Sequence, residues 1–264
     1  MTPRTDLTSI RLALASGVIL SHCNPWCEAG AEPSAFGLGL GGWCVLGFFM
    51  LSGALVTASW RSDPDAVRFA RKRALRILPG YATAFLVCAL LIGPSLGASP
   101  TLADVGRLLT LQAPGARPFG GIPVDAPMYT IFWEVACYAA VPLLFAPFLR
   151  RPDIWIMVTT LFIILAISFP AASVYRMFAA FLVGAGFHAH IGRLRLPLPR
   201  IPDISFGTYL YGWPIQGVLV MAGVHEPIWL FITALPMALF AGWLSFRFVE
   251  QPAMARRPQV GLYA

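Results

Sequence analysis

The chain is poor in charge. Asp, Glu, Lys and Arg make up 12% of its 264 residues, about half the share that a soluble domain carries. Lysine is almost missing, with Lys72 alone among 19 basic residues. That arginine bias is read, by association only, as the mark of a high-GC bacterial source. The hydrophobic share is 58% and the mean hydropathy +0.71, which excludes an ordinary soluble domain. There is no internal repeat, low-complexity tract or hydrophilic block of domain size. Short, alternating apolar segments are also lacking, which argues against a membrane β-barrel.

What the chain does have is long apolar runs. A helix needs about 20 mainly apolar residues to cross a bilayer, and its backbone groups must be satisfied internally. Eight such runs can be drawn, near 6–25, 36–60, 77–97, 128–149, 154–170, 174–191, 204–223 and 228–250. Prolines punctuate the connections between them. The expected fold is an all-α integral membrane protein, a single domain over 1–264 with about eight transmembrane helices.

Basic residues orient the bundle. With the N-terminus inside, fourteen fall on the cytoplasmic side: Arg4, six from Arg61 to Arg76, Arg150, Arg151, Arg193, Arg195, Arg200, Arg256 and Arg257. Arg107, Arg117 and Arg176 fall on the other side, and Arg11 and Arg247 within spans. This asymmetry places both termini in the cytoplasm. It also accounts for the net charge of +7 without a nucleic-acid partner. The longest loop, 98–127, lies outside and reads as a surface connector in preference to a lid over an acceptor site.

Three local patterns are discounted. "GLGLGG" at Gly37–Gly42 matches a dinucleotide fingerprint, but neither the preceding strand nor the following acidic residue is expected. Its glycines read as a close helix-packing surface. Arg4, "LALASGVIL" and "AGA" imitate a signal peptide. Arg11 borders that apolar core, however, and the later charge pattern works with an uncleaved first span. His22, Cys23 and Cys27 are too few for a zinc site, which wants four ligands in paired spacings, so no metal is expected. A Cys23–Cys27 disulfide stays open. Cys44, Cys88 and Cys137 lie in apolar runs, where cysteine acts as a small hydrophobe. The pair His188 and His190 reads as interfacial.

Charges inside the spans carry the functional signal, because a membrane tolerates them only facing the bundle interior or a wet cavity. Arg11 and His22 stand eleven residues apart, so they share one helix face, about 16 Å apart along the axis. Arg11 lies toward the cytoplasm and His22 toward the outside. Counted from the start of its run, Glu134 falls at the depth of His22. Arg247 falls at the depth of Arg11 and is expected to pair with Glu250 at i,i+3. A neutral imidazole can take a hydroxyl proton and a carboxylate can orient it. Arginines can hold phosphates through forked hydrogen bonds. The set suits an acyl thioester whose phosphorylated handle stays inside while its acyl end reaches the histidine.

These residues resemble a known family, the acyltransferase 3 membrane O-acyltransferases. Arg11 and His22 are similar to its R-x10-H helix, and "FFMLSGAL" at Phe48–Leu55 to its F-F-x-L-S-G-F-L signature. "RFARKRALRILPGY" resembles its basic segment, with Arg73 and Arg76 as R-x-x-R. "MYTIFWEVACYAAVPLL" puts Glu134 and Tyr138 on the family's glutamate and tyrosine, with Tyr129 where tryptophan is common. "PDISFGTYLYGWPIQ" and "FRFVEQPA" resemble its last two motifs. The family usually has about ten spans; two look absent here, where the short basic loop Arg193–Arg200 stands.

The resemblance implies transfer of an acyl group, most often acetyl, from acyl-CoA to a hydroxyl of a carbohydrate or a lipid-linked or related surface acceptor. Acyl-CoA is then a co-substrate and not a resident cofactor. The location implied is a bacterial cell membrane. It implies His22 as base or transient acyl carrier with Glu134 assisting. Arg11, Arg73 and Arg76 engage the donor, Ser52 and Gly53 shape its path, and Tyr138 joins the substrate-binding set. The missing helices leave open a homodimer that fills the gap, or an inactive member serving as a binding subunit. A transporter without chemistry is the other alternative.

Overall fold

The structure, a computed structural model, describes residues 7–30, 32, 34–145, 151–170, 172–187 and 201–256. Arg4, Arg150, His188, His190, Arg193, Arg195, Arg200 and Arg257 lie outside the described residues, as does most of the stretch where two helices look absent.

The described chain is almost entirely helical. Helix α1 covers Thr8–Trp26. A two-residue hairpin, Ser34–Ala35 paired with Leu38–Gly39, leads into α2, Leu40–Ser62. Helix α3 runs Ala66–Ser95, passing through a π-helical turn at Cys88–Ile92. A short amphipathic helix α4, Leu102–Leu109, interrupts the long loop. Helix α5, Thr130–Ala140, follows a 3₁₀ turn and ends in a π turn at Val141–Phe145. Then come α6, Pro152–Ser168, α7, Ser173–Gly186, α8, Ser205–Met221, and α9, Pro227–Ala255. Helices α2, α3 and α9 are long and apolar enough to cross a membrane; α6 and α7 are shorter apolar helices. The helices fall where the apolar runs placed them, except that α3 begins eleven residues before its run at 77, because the basic segment forms its first turns. The hairpin was not expected.

Small residues decide how closely the helices approach. A Cβ on Gly53 would lie 2.0 Å from Phe181 O, and one on Gly184 would lie 1.8 Å from Met50 O. Backbone therefore meets backbone where α2 crosses α7. Gly207 and Gly242 do the same between α8 and α9. Gly53→Ala is accordingly expected to destabilise the fold by about 1–3 kcal/mol, as a loss of thermal stability in detergent that Gly184→Ala reproduces. The "GLGLGG" stretch is a packing element as well. Cβ atoms on Gly39 and Gly41 would strike Glu32 and Ser21.

The turn between α2 and α3 is pinned by Asp63, which accepts from Arg68 and Lys72, each at 2.7 Å. These hydrogen bonds hold its carboxyl well below the usual carboxylate range. The long loop is anchored at several points. Asp104 accepts from the Gly115 and Thr101 backbones at 2.7 and 2.8 Å. Tyr81 Oη donates to Gln112 O at 2.7 Å, and Trp213 Nε1 donates to Pro123 O at 3.0 Å. Its last residues turn into the bundle, where Val124, Asp125 and Met128 are fully buried. The loop is thus more than a connector, since its end forms an internal wall.

Candidate functional site

At one end of the bundle four elements converge on two carboxylates. Arg11 of α1 donates to Asp203 at 2.8 Å, and Arg76 of α3 donates to the same oxygen at 2.6 Å. Arg76 also donates to Glu250 of α9 at 3.0 Å. Ser205 and Ser245 hydroxyls complete the carboxylates' hydrogen bonds at 2.7 and 3.2 Å. The expected Arg247–Glu250 pair is therefore corrected. Glu250 is fully buried against Arg76, while the exposed Arg247 donates to Gln251 at 3.2 Å. The reason is the π turn at Phe246–Glu250, which winds more residues per turn, so positions three apart no longer share a face.

Arg73 is built differently. Its Nη2 donates to Ser59 at 2.9 Å, and its guanidinium lies over the Phe69 and Tyr138 rings at 5.6 and 5.8 Å. It forms no ion pair among the described residues, and its buried Nε has no hydrogen-bond partner. Of Arg11, Arg73 and Arg76, it alone keeps an uncompensated charge at close range.

Glu134 stands between the two ends. It accepts from the Ser52 hydroxyl at 3.0 Å and closely from the Tyr138 hydroxyl, which also lies 3.4 Å from Ser52 Oγ. The structure brings Ser52, Glu134 and Tyr138 together but gives His22 and Glu134 no hydrogen bond. Glu134 lines the two cavities that Arg11 lines and not the one that His22 lines. Thr130, one turn before it, lies nearer His22 and bonds Tyr209 at 2.8 Å.

His22 lines a cavity of about 260 Å³ with Ser21, Glu32, Tyr129, Arg176 and Trp213. Its ring meets Trp213 edge to face at 4.8 Å between centroids. Since Trp213 is itself tied to Pro123, the imidazole rests on a fixed surface. The carboxylate in this cavity is Glu32, which accepts closely from Ser21. The sequence did not single out Glu32, Arg176 or Asp203, because loop and helix-end residues give no periodic signal, nor Trp213, an aromatic in the middle of an apolar helix. Asp203 and Trp213 entered only as part of a motif. Cys23 and Cys27 are free thiols, and the Cys23 thiol donates to Ile19 O at 3.3 Å.

Two narrow cavities lie between the His22 cavity and the arginine cluster. One, about 30 Å³, is lined by Arg11, Glu134, Thr130 and Tyr209; the other, about 40 Å³, by Arg11, Ser52, Arg73, Arg76, Glu134 and Tyr138. The first shares Val45, Thr130 and Tyr209 with the His22 cavity. The two share Arg11, Glu134 and Phe206. Gly53 lines none of these cavities and faces α7 instead.

A helical bundle with membrane-length apolar helices, an internal histidine cavity and a buried arginine cluster defines a membrane protein with a site inside the bundle. The chain belongs to the acyltransferase 3 family: the family model, described as an acyltransferase domain, matches residues 4–196. It is thus a membrane acyltransferase. The match takes in Arg11, His22, Arg73, Arg76 and Glu134, and it stops before Asp203 and before α8 and α9, which bring Trp213 and Glu250. Neither a curated protein nor a solved structure matches the chain at a significant level.

Proposed function

We propose that the protein moves an acyl group, most often acetyl in this family, from acyl-CoA to a hydroxyl of a carbohydrate or related surface acceptor. The observation that carries this reading is the series of cavities with shared lining residues, running from Arg73 and Arg76 to His22. The donor's phosphates meet Arg73, which has charge to spare, and its acyl end extends past Glu134 toward His22. The acceptor occupies the larger cavity. His22 takes the proton from the acceptor hydroxyl as that oxygen attacks the thioester carbonyl. The C–S bond breaks, and the leaving thiolate takes the proton, giving an ester and free CoA thiol. With His22 as a transient carrier, the imidazole nitrogen attacks the thioester carbonyl and the C–S bond breaks to release the CoA thiolate. The acceptor oxygen then attacks the acyl-imidazole, the acyl C–N bond breaks, and the hydroxyl proton balances the thiolate, giving the same ester and free thiol.

In this reading the bundle crosses a bacterial cell membrane about eight times with both termini cytoplasmic. The arginine end then faces the donor and the histidine end faces outward. Glu134, Ser52 and Tyr138 act on the passage of the acyl chain, not on the imidazole.

Membranes containing the protein should convert labelled acetyl-CoA into hydroxylamine-labile ester on carbohydrate, and membranes without it should not. Arg73→Gln should weaken donor binding about ten- to hundredfold, the worth of a hydrogen bond to a charged group. The Michaelis constant for acetyl-CoA measures this. An unchanged constant would move the donor site elsewhere.

A further inference from the structure

The His22 cavity holds a charged side chain that acyl transfer itself does not use. Arg176 stands in the first turn of α7 and reaches the hairpin. Its Nη2 lies 3.9 Å from the point a Cβ on Gly37 would occupy. A cation in the first turn of a helix is at the unfavourable end of the dipole. Arginines within an apolar bundle are ordinarily paired. Two others expected on this side of the membrane do have partners: Arg107 bonds Asp104 at 3.4 Å, and Arg117 donates to Gly121 O at 3.0 Å. Arg176 has neither ion pair nor hydrogen bond among the described residues.

Glu32 lines the same cavity without neutralising it, since its carboxylate is held by Ser21 against Gly39. The cavity therefore offers a free guanidinium and a fixed carboxylate that are not in contact. Aromatic surface and hydroxyls come from Tyr129, Tyr209 and Trp213. A planar guanidinium binds carboxylate or phosphate through two parallel hydrogen bonds. Glu32 can accept from hydroxyls, and the aromatic faces suit the C–H surface of a sugar ring.

We propose that this cavity selects an acidic sugar: a polyhydroxylated ring whose carboxylate or phosphate is gripped by Arg176 while ring hydroxyls donate to Glu32. It rests on the acyl-transfer reading in that the sugar is the acceptor. The specificity for a charged sugar is read from Arg176 and the cavity alone.

The test is binding of galacturonate, galactose 6-phosphate and galactose to the purified full chain in lipid nanodiscs. The wild type should bind at least one anionic sugar about tenfold more tightly than galactose, as a charge-assisted pair supplies. The stronger of the two identifies carboxylate or phosphate as the group recognised. Arg176→Gln should erase that preference while galactose still binds, which also reports an intact cavity. His22→Ala should keep the preference. Equal affinity for all three sugars, no measurable binding of any, or a preference that survives Arg176→Gln would overturn the proposal. Failure of acetyl transfer in the same preparation, with the preference intact, would instead remove the enzymatic reading and leave the anionic-sugar site standing.

Discussion

Arg76→Ala is expected to destabilise the folded protein by about 3–5 kcal/mol, the cost of leaving a buried charge without its partner. Glu250 is fully buried and would keep only the Ser245 hydroxyl. Asp203 would keep Arg11 and Ser205. The lost side chain also ties α3 to α9 and to the start of α8, so the damage is not local. Thermal unfolding in detergent measures it. Glu250→Gln in the Arg76→Ala background should recover part of the loss by removing the stranded charge. A double-mutant cycle should therefore show strong coupling between the two positions. If Arg76→Ala left stability unchanged, the buried network would not hold these elements together.

The second large effect is on chemistry. His22→Ala should lower acyl transfer by about 10²–10⁴-fold, the range that a positioned general base contributes. Stability should change little, since the imidazole's one described contact is the Trp213 ring. The Michaelis constant for the donor should also hold, because Arg73 lies toward the far end of the cavity series. Trp213→Ala should act through His22 by loosening the imidazole, and should reduce turnover more than donor binding.

Much of this was legible in the sequence because membranes punish charge. Arg11 and His22 stood out within an apolar run, and helical spacing alone put them on one face, where they line neighbouring cavities. The helices themselves followed from apolar length. Partners were harder to read. The spacing of Arg247 and Glu250 implied a pair, and a π turn undid it. Depth counting grouped Glu134 with His22, whereas its hydrogen bonds go to Ser52 and Tyr138. Asp203, which bridges two arginines from different helices, carries no local signal, because its meaning arises only when α8 meets α1 and α3. Glu32 was hidden for the same reason. It belongs to the His22 cavity only because the connector from α1 brings it back against Ser21 and Gly39, and the hairpin that follows rests on two-residue strands too short to show in composition.

The most direct measurement follows transfer of label from acetyl-CoA to membrane carbohydrate by the wild type and by His22→Ala at matched protein levels. Formation of ester by the wild type, and its reduction by two or more orders of magnitude in His22→Ala with unfolding temperature unchanged, is the predicted result. Equal labelling by the two proteins would contradict a catalytic His22.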